Sequence, residues 1–325
     1  AIQHAPFSWD VTIFAAQAKQ STNAFIVKNF SLLSPSSNAV IVSDNGVKKR
    51  FLFTNQDLHL FNARIRLNEN STIAFGGNVR SYTYASSSQT NYQDTVYSLA
   101  DFLKINVDRQ PLSGQAVGSS WLQGYFTYSR KLADDGFNLL NAAITVKANR
   151  SLGGGYARTQ DLRYGTSFDN IGRAIHALET GNLQYGYSYN FDYVRSNSST
   201  SINAKNFLKR AYNNIGFDVG IEYIMQGDVE DDDDADDFSY TTKIGISLMD
   251  IGGNKYRHSG NSGLAIAGKN GITDTILENK FRDVQSVGQF KDTLASISNS
   301  FTSTVSNFVI YQPTRLMVNV DKYIG

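Results

Sequence analysis

The sequence predicts an all-β fold, an antiparallel transmembrane β-barrel with helical inserts in its long connections. Three observations carry that expectation: apolar/polar alternation at period two over long segments, polar faces made of Gly, Ser, Asn and Gln, and an unusual composition. Charged residues are 18% of the chain, against roughly 25% in ordinary globular proteins, while aromatics reach 12% and prolines number only 4.

The alternation is clearest where Leu183, Tyr185, Tyr187, Tyr189, Phe191 and Tyr193 oppose Gln184, Gly186, Ser188, Asn190 and Asp192. A helix cannot produce strict period two, and the length matches the ~9–11 residues of a tilted membrane strand rather than the usual ~5–6. In chain order, weaker alternation runs through Phe7, Trp9, Val11 and Ile13, with poorer candidates at 23–33 and 56–68. It continues through Ile73, Phe75 and Val79 with Asn78 and Arg80 opposite, and from Trp121 to Tyr128. Leu140, Ala142, Ile144, Val146 and Ala148 then oppose Asn141, Thr145, Lys147 and Asn149. Ile215, Phe217, Val219, Ile221 and Tyr223 oppose Asn214, Gly216, Asp218, Gly220 and Glu222. Phe238, Tyr240, Ile244, Ile246 and Leu248 oppose Ser239, Thr241, Lys243, Gly245 and Ser247, and Leu316, Val318 and Val320 oppose Arg315, Asn319 and Asp321. The total is about ten long strands, with an apolar face for lipid and a polar face for a lumen. A soluble β-sandwich also alternates, but it favours Lys, Glu and Thr on short strands whose polar face meets bulk water.

The connections are unequal. Leu132–Gly136 reads as a tight polar turn, whereas 86–118 and 151–181 are long. Around Ile171, Ile175 and Leu178 the second holds a short amphipathic stretch, expected as one or two helical turns, and strand parity asks for a further strand within 155–165. Residues 201–211 are a short helical candidate. From Asp274 the period changes to about 3.6, as Leu277, Phe281, Val284, Val287, Phe290, Leu294 and Ile297 recur at steps of four and three. This defines a helical insert at 262–308. Its default place is against its own chain; the sharper reading makes Leu277, Phe281, Val284, Phe290 and Leu294 a partner-docking surface or a lumen plug.

Motifs for chemistry are scarce. A net charge of +1 removes any whole-chain attraction to nucleic acid or anionic lipid. The absence of cysteine excludes disulfides, thiolate zinc and thiol catalysis. No stretch approaches the ~18 apolar residues of a membrane helix. Ala1 opens without a basic and apolar leader, which leaves export unsettled. The run from Asp228 to Asp237 has oxygen ligands in Asp228, Glu230, Asp232 and Asp234 as weak calcium candidates, but it lacks the spaced order and turn glycine of a calcium loop, so a solvated acidic hairpin is the expectation. Gly263–Lys269 spaces like a phosphate loop, yet Asn270 stands where Ser or Thr belongs. His4, His59, His176 and His258 are scattered, and no G-x-S-x-G elbow occurs, so no cofactor and no catalytic constellation is expected. Arg80, Lys147, Asp192, Asp218, Glu222 and Lys243 fall on polar strand faces and are expected to face the lumen, selecting solutes or pairing with one another.

GFDVGIEYIMQG at Gly216–Gly227 and YTTKIGISLMDIGGNKY at Tyr240–Tyr256 resemble a signature of FadL-like outer-membrane barrels of Bacteroidota: a glycine–apolar–Asp–apolar–glycine strand, then an aromatic strand ending in Ser247, Leu248, Asp250, Ile251 and Gly252. The closer similarity is to uncharacterised barrels related to the type IX secretion shuttle barrel PorV, sometimes fused to an OmpA-like domain. Pro313–Gly325 resembles the mid-barrel strand of that family, and the similarity spans roughly 120–325. The resemblance implies a non-enzymatic protein of a Gram-negative outer membrane. It implies a channel or transporter for small or hydrophobic solutes, or a scaffold subunit of an envelope complex, with outer-membrane lipid and envelope or secretion proteins as partners. Two departures matter: the Asn-Pro-Ala run of the family's opening segment is absent, and no closing strand ending in an aromatic residue follows. These imply one barrel domain over 1–325 that is a portion of a longer barrel. A barrel-embedded hydrolase and a soluble β-sandwich binding module are the alternatives.

Overall fold

Alternating segments pair with their sequence neighbours through short turns, and that local pairing organises the whole chain. The computed structural model describes residues 8–29, 38–193, 200–226, 240–269 and 271–322. The strands are β1 (Trp9–Thr12), β2 (Ala15–Thr22), β3 (Phe25–Lys28), β4 (Val40–Ser43), β5 (Gly46–Asn68), β6 (Ser71–Tyr92), β7 (Leu112–Asp134), β8 (Asn138–Phe168), β9 (Ala174–Tyr187), β10 (Asn213–Gln226), β11 (Tyr240–Arg257), β12 (Gly263–Gly268), β13 (Ser298–Ser303), β14 (Asn307–Tyr311) and β15 (Arg315–Lys322). The helices are α1 (Leu99–Ile105), α2 (Thr200–Lys209), α3 (Asp274–Arg282) and α4 (Val287–Ile297). The class is all-β, and the main sheet is antiparallel throughout.

Strand β8 is the spine. Its 31 residues span roughly 100 Å at ~3.3 Å per residue, far beyond one bilayer crossing. Its lower half, Asn138–Arg150, pairs with β10, while Gly155–Phe168 pairs with β9, so the sheet forks. The lower branch continues β10–β11–β15 and the upper one β9–β12–β13. The crotch is sealed by backbone: Ser151 N–H donates to Tyr212 O at 2.9 Å and Ser188 N–H to Gly154 O at 2.8 Å. On the other side β1 and β2 line up along β5. β1/β2 and β15 are open edges, and the sheet does not close among the described residues.

Curvature follows from contacts across the concave face. β6 and β11 are four strand steps apart, roughly 19 Å in a flat sheet at ~4.8 Å per step. Yet Arg80 on β6 touches Asp250 on β11 at 2.6 Å, and Tyr82 Oη donates to Tyr311 O at 2.5 Å. Trp121, Tyr82, Tyr256 and Ile310 pack together inside this curl, with Val117 and Phe308 against them. Gly154 faces the same cluster; a Cβ there would sit 2.6 Å from the Tyr256 ring, so only glycine admits that tyrosine.

The convex face is apolar and open. Val318–Ile246–Ile221–Ala142 and Leu316–Leu248–Val219–Ile144–Tyr128 are rows of directly paired residues across β15, β11, β10, β8 and β7, with Val318 58% and Ile221 53% exposed. Such a contiguous apolar surface is far larger than scattered surface residues produce.

Several expectations are corrected. Residues 155–165 are not a separate strand but the upper half of β8, the connection over 151–181 is largely strand, and that over 86–118 begins and ends in strand with α1 between. The stretch around Ile171 is a hairpin rather than helical turns: the Asp169 carboxylate accepts from the N–H groups of Ile171 and Arg173, and Gly172 takes φ 78°, which closes the chain after four residues. The strand expected to run to Tyr193 ends at Tyr187, and Tyr189–Tyr193 forms a 3-10 turn because Asn190 donates to Leu152 O and Phe191 packs edge-on against Phe207 of α2. The 262–308 insert is helical only in its middle, since β12 and β13 flank α3 and α4 as an antiparallel pair.

Candidate functional site

Two features of the fold bring functional side chains together: a charge network on the concave face and an apolar cavity under the helices. The network is built by a β-bulge. Phe217 pairs with Ile251 and Val219 with Leu248, so two residues of β11 oppose the single Asp218 of β10. The extra residue, Asp250, adopts φ 60°, which aspartate tolerates better than most side chains, and its carboxylate swings inward to 1% exposure.

Three cations converge on that carboxylate. Arg80 Nη1 lies 2.6 Å from Oδ1, Lys147 Nζ 2.7 Å from Oδ1, and Arg315 Nη2 2.7 Å from Oδ2. Asp57 takes Arg80 Nε at 2.7 Å, and Asp218 takes Lys147 Nζ at 2.6 Å while accepting the Asp250 N–H at 2.7 Å. Three cations meet three carboxylates, and the Arg80 guanidinium also lies 5.3 Å from the Trp121 ring. Below it Lys243 pairs with Glu222 at 3.1 Å. Arg80, Lys147 and Asp250 are buried and each has a charged partner, as such a network requires, while Arg315 stays partly exposed.

Of the residues expected on the lumen side, Arg80, Lys147, Asp218, Glu222 and Lys243 do lie on the concave face. Asp192 does not. It sits in the 3-10 turn, where Tyr187 Oη donates to it at 2.8 Å and Ser259 Oγ at 3.0 Å. Asp57, Asp250 and Arg315 complete the network and were not among the sequence candidates.

The helices cover the upper branch. Ser98, Thr273 and Ser286 cap α1, α3 and α4 by accepting the backbone N–H of the third residue of each helix. Leu277 and Leu294 are buried in one cluster with Leu103, Tyr164, Tyr185 and Ile297, against which Phe281 and Phe290 pack. The five docking candidates are thus mostly turned into their own chain, which corrects the partner-docking reading. Only Val284 sits apart from that cluster, on the rim of a shallower hollow beside Tyr185. Between the helices and the sheet lies an apolar cavity of about 340 Å³ lined by Leu103, Leu162, Leu183, Phe281, Phe290 and Leu294, with Thr159, Asn182 and Ser298 as its polar atoms. A larger, open polar basin of about 780 Å³ lies at the upper mouth of the concave face among Lys49, Tyr84, Ser86, Ser88, Gln115 and Arg158.

The calcium candidates Asp228, Glu230, Asp232 and Asp234 lie outside the described residues, and no group of three metal-binding side chains occurs among the described ones. Gly263–Lys269 is mostly the strand β12 rather than a phosphate loop, and Lys269 Nζ donates to Ser296 O. His59, His176 and His258 are hydrogen-bonded to Asn78, Thr166 and Tyr156.

Fold and site together define an antiparallel all-β protein with a filled polar concave face, an apolar convex face and a helical cap. The chain belongs to a protein family of unknown function, DUF5723, which matches residues 2–324. No curated protein and no solved structure matches it.

Proposed function

We propose that the chain is a non-enzymatic outer-membrane barrel protein that acts as a scaffold subunit of an envelope complex rather than as an open channel. The single observation behind this reading is the pairing of an exposed apolar convex band with an occluded concave face. Along β10 the band runs from Ile215 to Met225, which with a strand tilt of 35–45° approaches the ~25 Å apolar height of outer-membrane barrels. Inside, Trp121, Tyr256 and the Asp250 network occupy the room that a pore needs, as in barrels whose interior just accommodates side chains.

The purified chain is expected to require detergent, to give no stepwise conductance in planar bilayers, and to recover envelope proteins from mild-detergent extracts. Monodisperse behaviour without detergent would remove the membrane reading, and porin-like conductance would replace the scaffold with a channel. The cavity under α1, α3 and α4 favours a second reading, a carrier of apolar solutes. An environment-sensitive fluorescent fatty acid that binds the wild type but not Leu294→Trp supports it.

A further inference from the structure

The upper rim of the convex band carries cations that no carboxylate among the described residues answers. Arg150 ends the β8 face that presents Ile144, Val146 and Ala148. Lys255 and Arg257 flank Tyr256, whose hydroxyl reaches Ser119 on the concave side, so period two turns both cations to the convex side. Arg210 follows α2 directly. Among the described residues none of the four forms an ion pair.

Neutral groups hold them instead. Arg150 donates to Asn213 Oδ1 at 2.7 Å and to Leu208 O, and Arg210 to Asn206 O at 3.3 Å. Tyrosine rings take the rest: Arg210 lies 3.5 Å from the Tyr193 centroid, Arg257 4.8 Å from Tyr189 and Lys255 5.5 Å from Tyr212. The carboxylate in the adjoining turn, Asp192, is taken by Tyr187 and Ser259. Elsewhere cations are answered: Lys131 at the lower end of β7 pairs with Asp134 at 2.7 Å and Lys243, on the concave face, with Glu222 at 3.1 Å.

Tyrosines and unanswered cations immediately above an apolar band have the order of a bilayer interface, where phosphate overlies acyl chain. We propose that this rim, formed by Arg150, Arg210, Lys255 and Arg257 with Tyr189, Tyr193 and Tyr212, binds the phosphate of an anionic lipid headgroup. Continuity with the apolar band selects a lipid over a soluble anion, because one molecule then satisfies both surfaces. The inference rests on the membrane reading above.

The test uses the full chain in nanodiscs of phosphatidylcholine alone or mixed with phosphatidylglycerol, with retained lipid read by native mass spectrometry. The wild type is expected to enrich phosphatidylglycerol. Arg210→Gln, Lys255→Gln and Arg257→Gln are each expected to lower that enrichment roughly fivefold, the worth of one cation near a charged surface. Lys131→Gln at the lower rim leaves it unchanged, and far-ultraviolet circular dichroism verifies that each variant is folded. A chain that enters nanodiscs without preferring the anionic lipid overturns this inference alone, whereas a chain that does not enter overturns the membrane reading with it. Inorganic phosphate displacing the retained lipid at millimolar concentration would make the site one for a free anion, and would also overturn the proposal.

Discussion

Asp250 is where residue-level chemistry decides most, because one carboxylate answers Arg80, Lys147 and Arg315 at once. Removing it leaves Arg80 with Asp57 alone and Lys147 with Asp218 alone, so the cost is expected at the low end, about 3 kcal/mol, of what breaking a buried pair typically costs. Asp250→Ala is therefore expected to lower the urea midpoint of the detergent-solubilised chain by that equivalent, and Asp250→Asn by less, since the amide oxygen still accepts. A midpoint unchanged in both would mean that water, not Asp250, solvates these cations. Part of this network was legible: alternation alone assigns Arg80, Lys147, Asp218, Glu222 and Lys243 to the polar face. Asp250 was not, because counting by twos from Ile246 and Leu248 puts it on the apolar face, and only the bulge at φ 60° reverses it. The sequence does carry a faint signal there, since Gly252 and Gly253 inside a strand often mark a bulge. Asp57 lies in a segment whose alternation is too poor to assign a face.

At the scale of elements, the helical cap is both the best-read insert and the one whose role changed. The period of 3.6 from Leu277 to Ile297 located α3 and α4 correctly, but periodicity shows only that a stripe is apolar and not what covers it. Here β9 and β12 cover it. Leu294→Ala is expected to destabilise by about 2–5 kcal/mol through the cavity it opens, with protease cleavage between α3 and α4 appearing earlier than cleavage of the lower strands. Acid acts on the same cap. Burial pushes the Asp274 carboxyl upward, but the Lys104 ammonium at 3.1 Å and the Thr275 N–H outweigh it and hold the group below its ordinary 3.8. A depressed carboxyl stabilises the fold above its unfolded value and loses that contribution as pH falls through the folded one. The α1–α3 contact is thus expected to persist at pH 5 and to loosen only below 3.8. In Lys104→Ala the remaining burial raises the carboxyl, so loosening moves to higher pH; nuclear magnetic resonance titration of Asp274 reads this directly. The hairpin at 169–173 was unreadable for the opposite reason, because three apolar residues at mixed spacing fit a helix as well as a strand until the Asp169 turn fixes them.

For the whole molecule, the open question is posed by its edges. In the lower branch the order β1–β5–β6–β7–β8–β10–β11–β15 is antiparallel at each step. Eight strands with alternating direction leave β1 and β15 running opposite ways, so the two edges are of the right polarity to pair with each other. In water an open edge is solvated, but within a bilayer each unpaired N–H and C=O costs several kcal/mol, which is why spanning sheets close. The proposed membrane setting therefore requires β15 to gain a partner on its free side. Residue-resolved hydrogen exchange can read this, because neighbouring amides of a strand point to opposite sides. In an open sheet, the amides of β15 that face β11 are slow and the alternate ones fast. In lipid, both sets are expected to become slow together with the outward amides of β1 and β2. If β15 alone becomes protected, its new partner comes from elsewhere than β1 and β2. If its alternate amides stay fast in lipid, the edge remains in water and the band on the convex face does not cross a membrane.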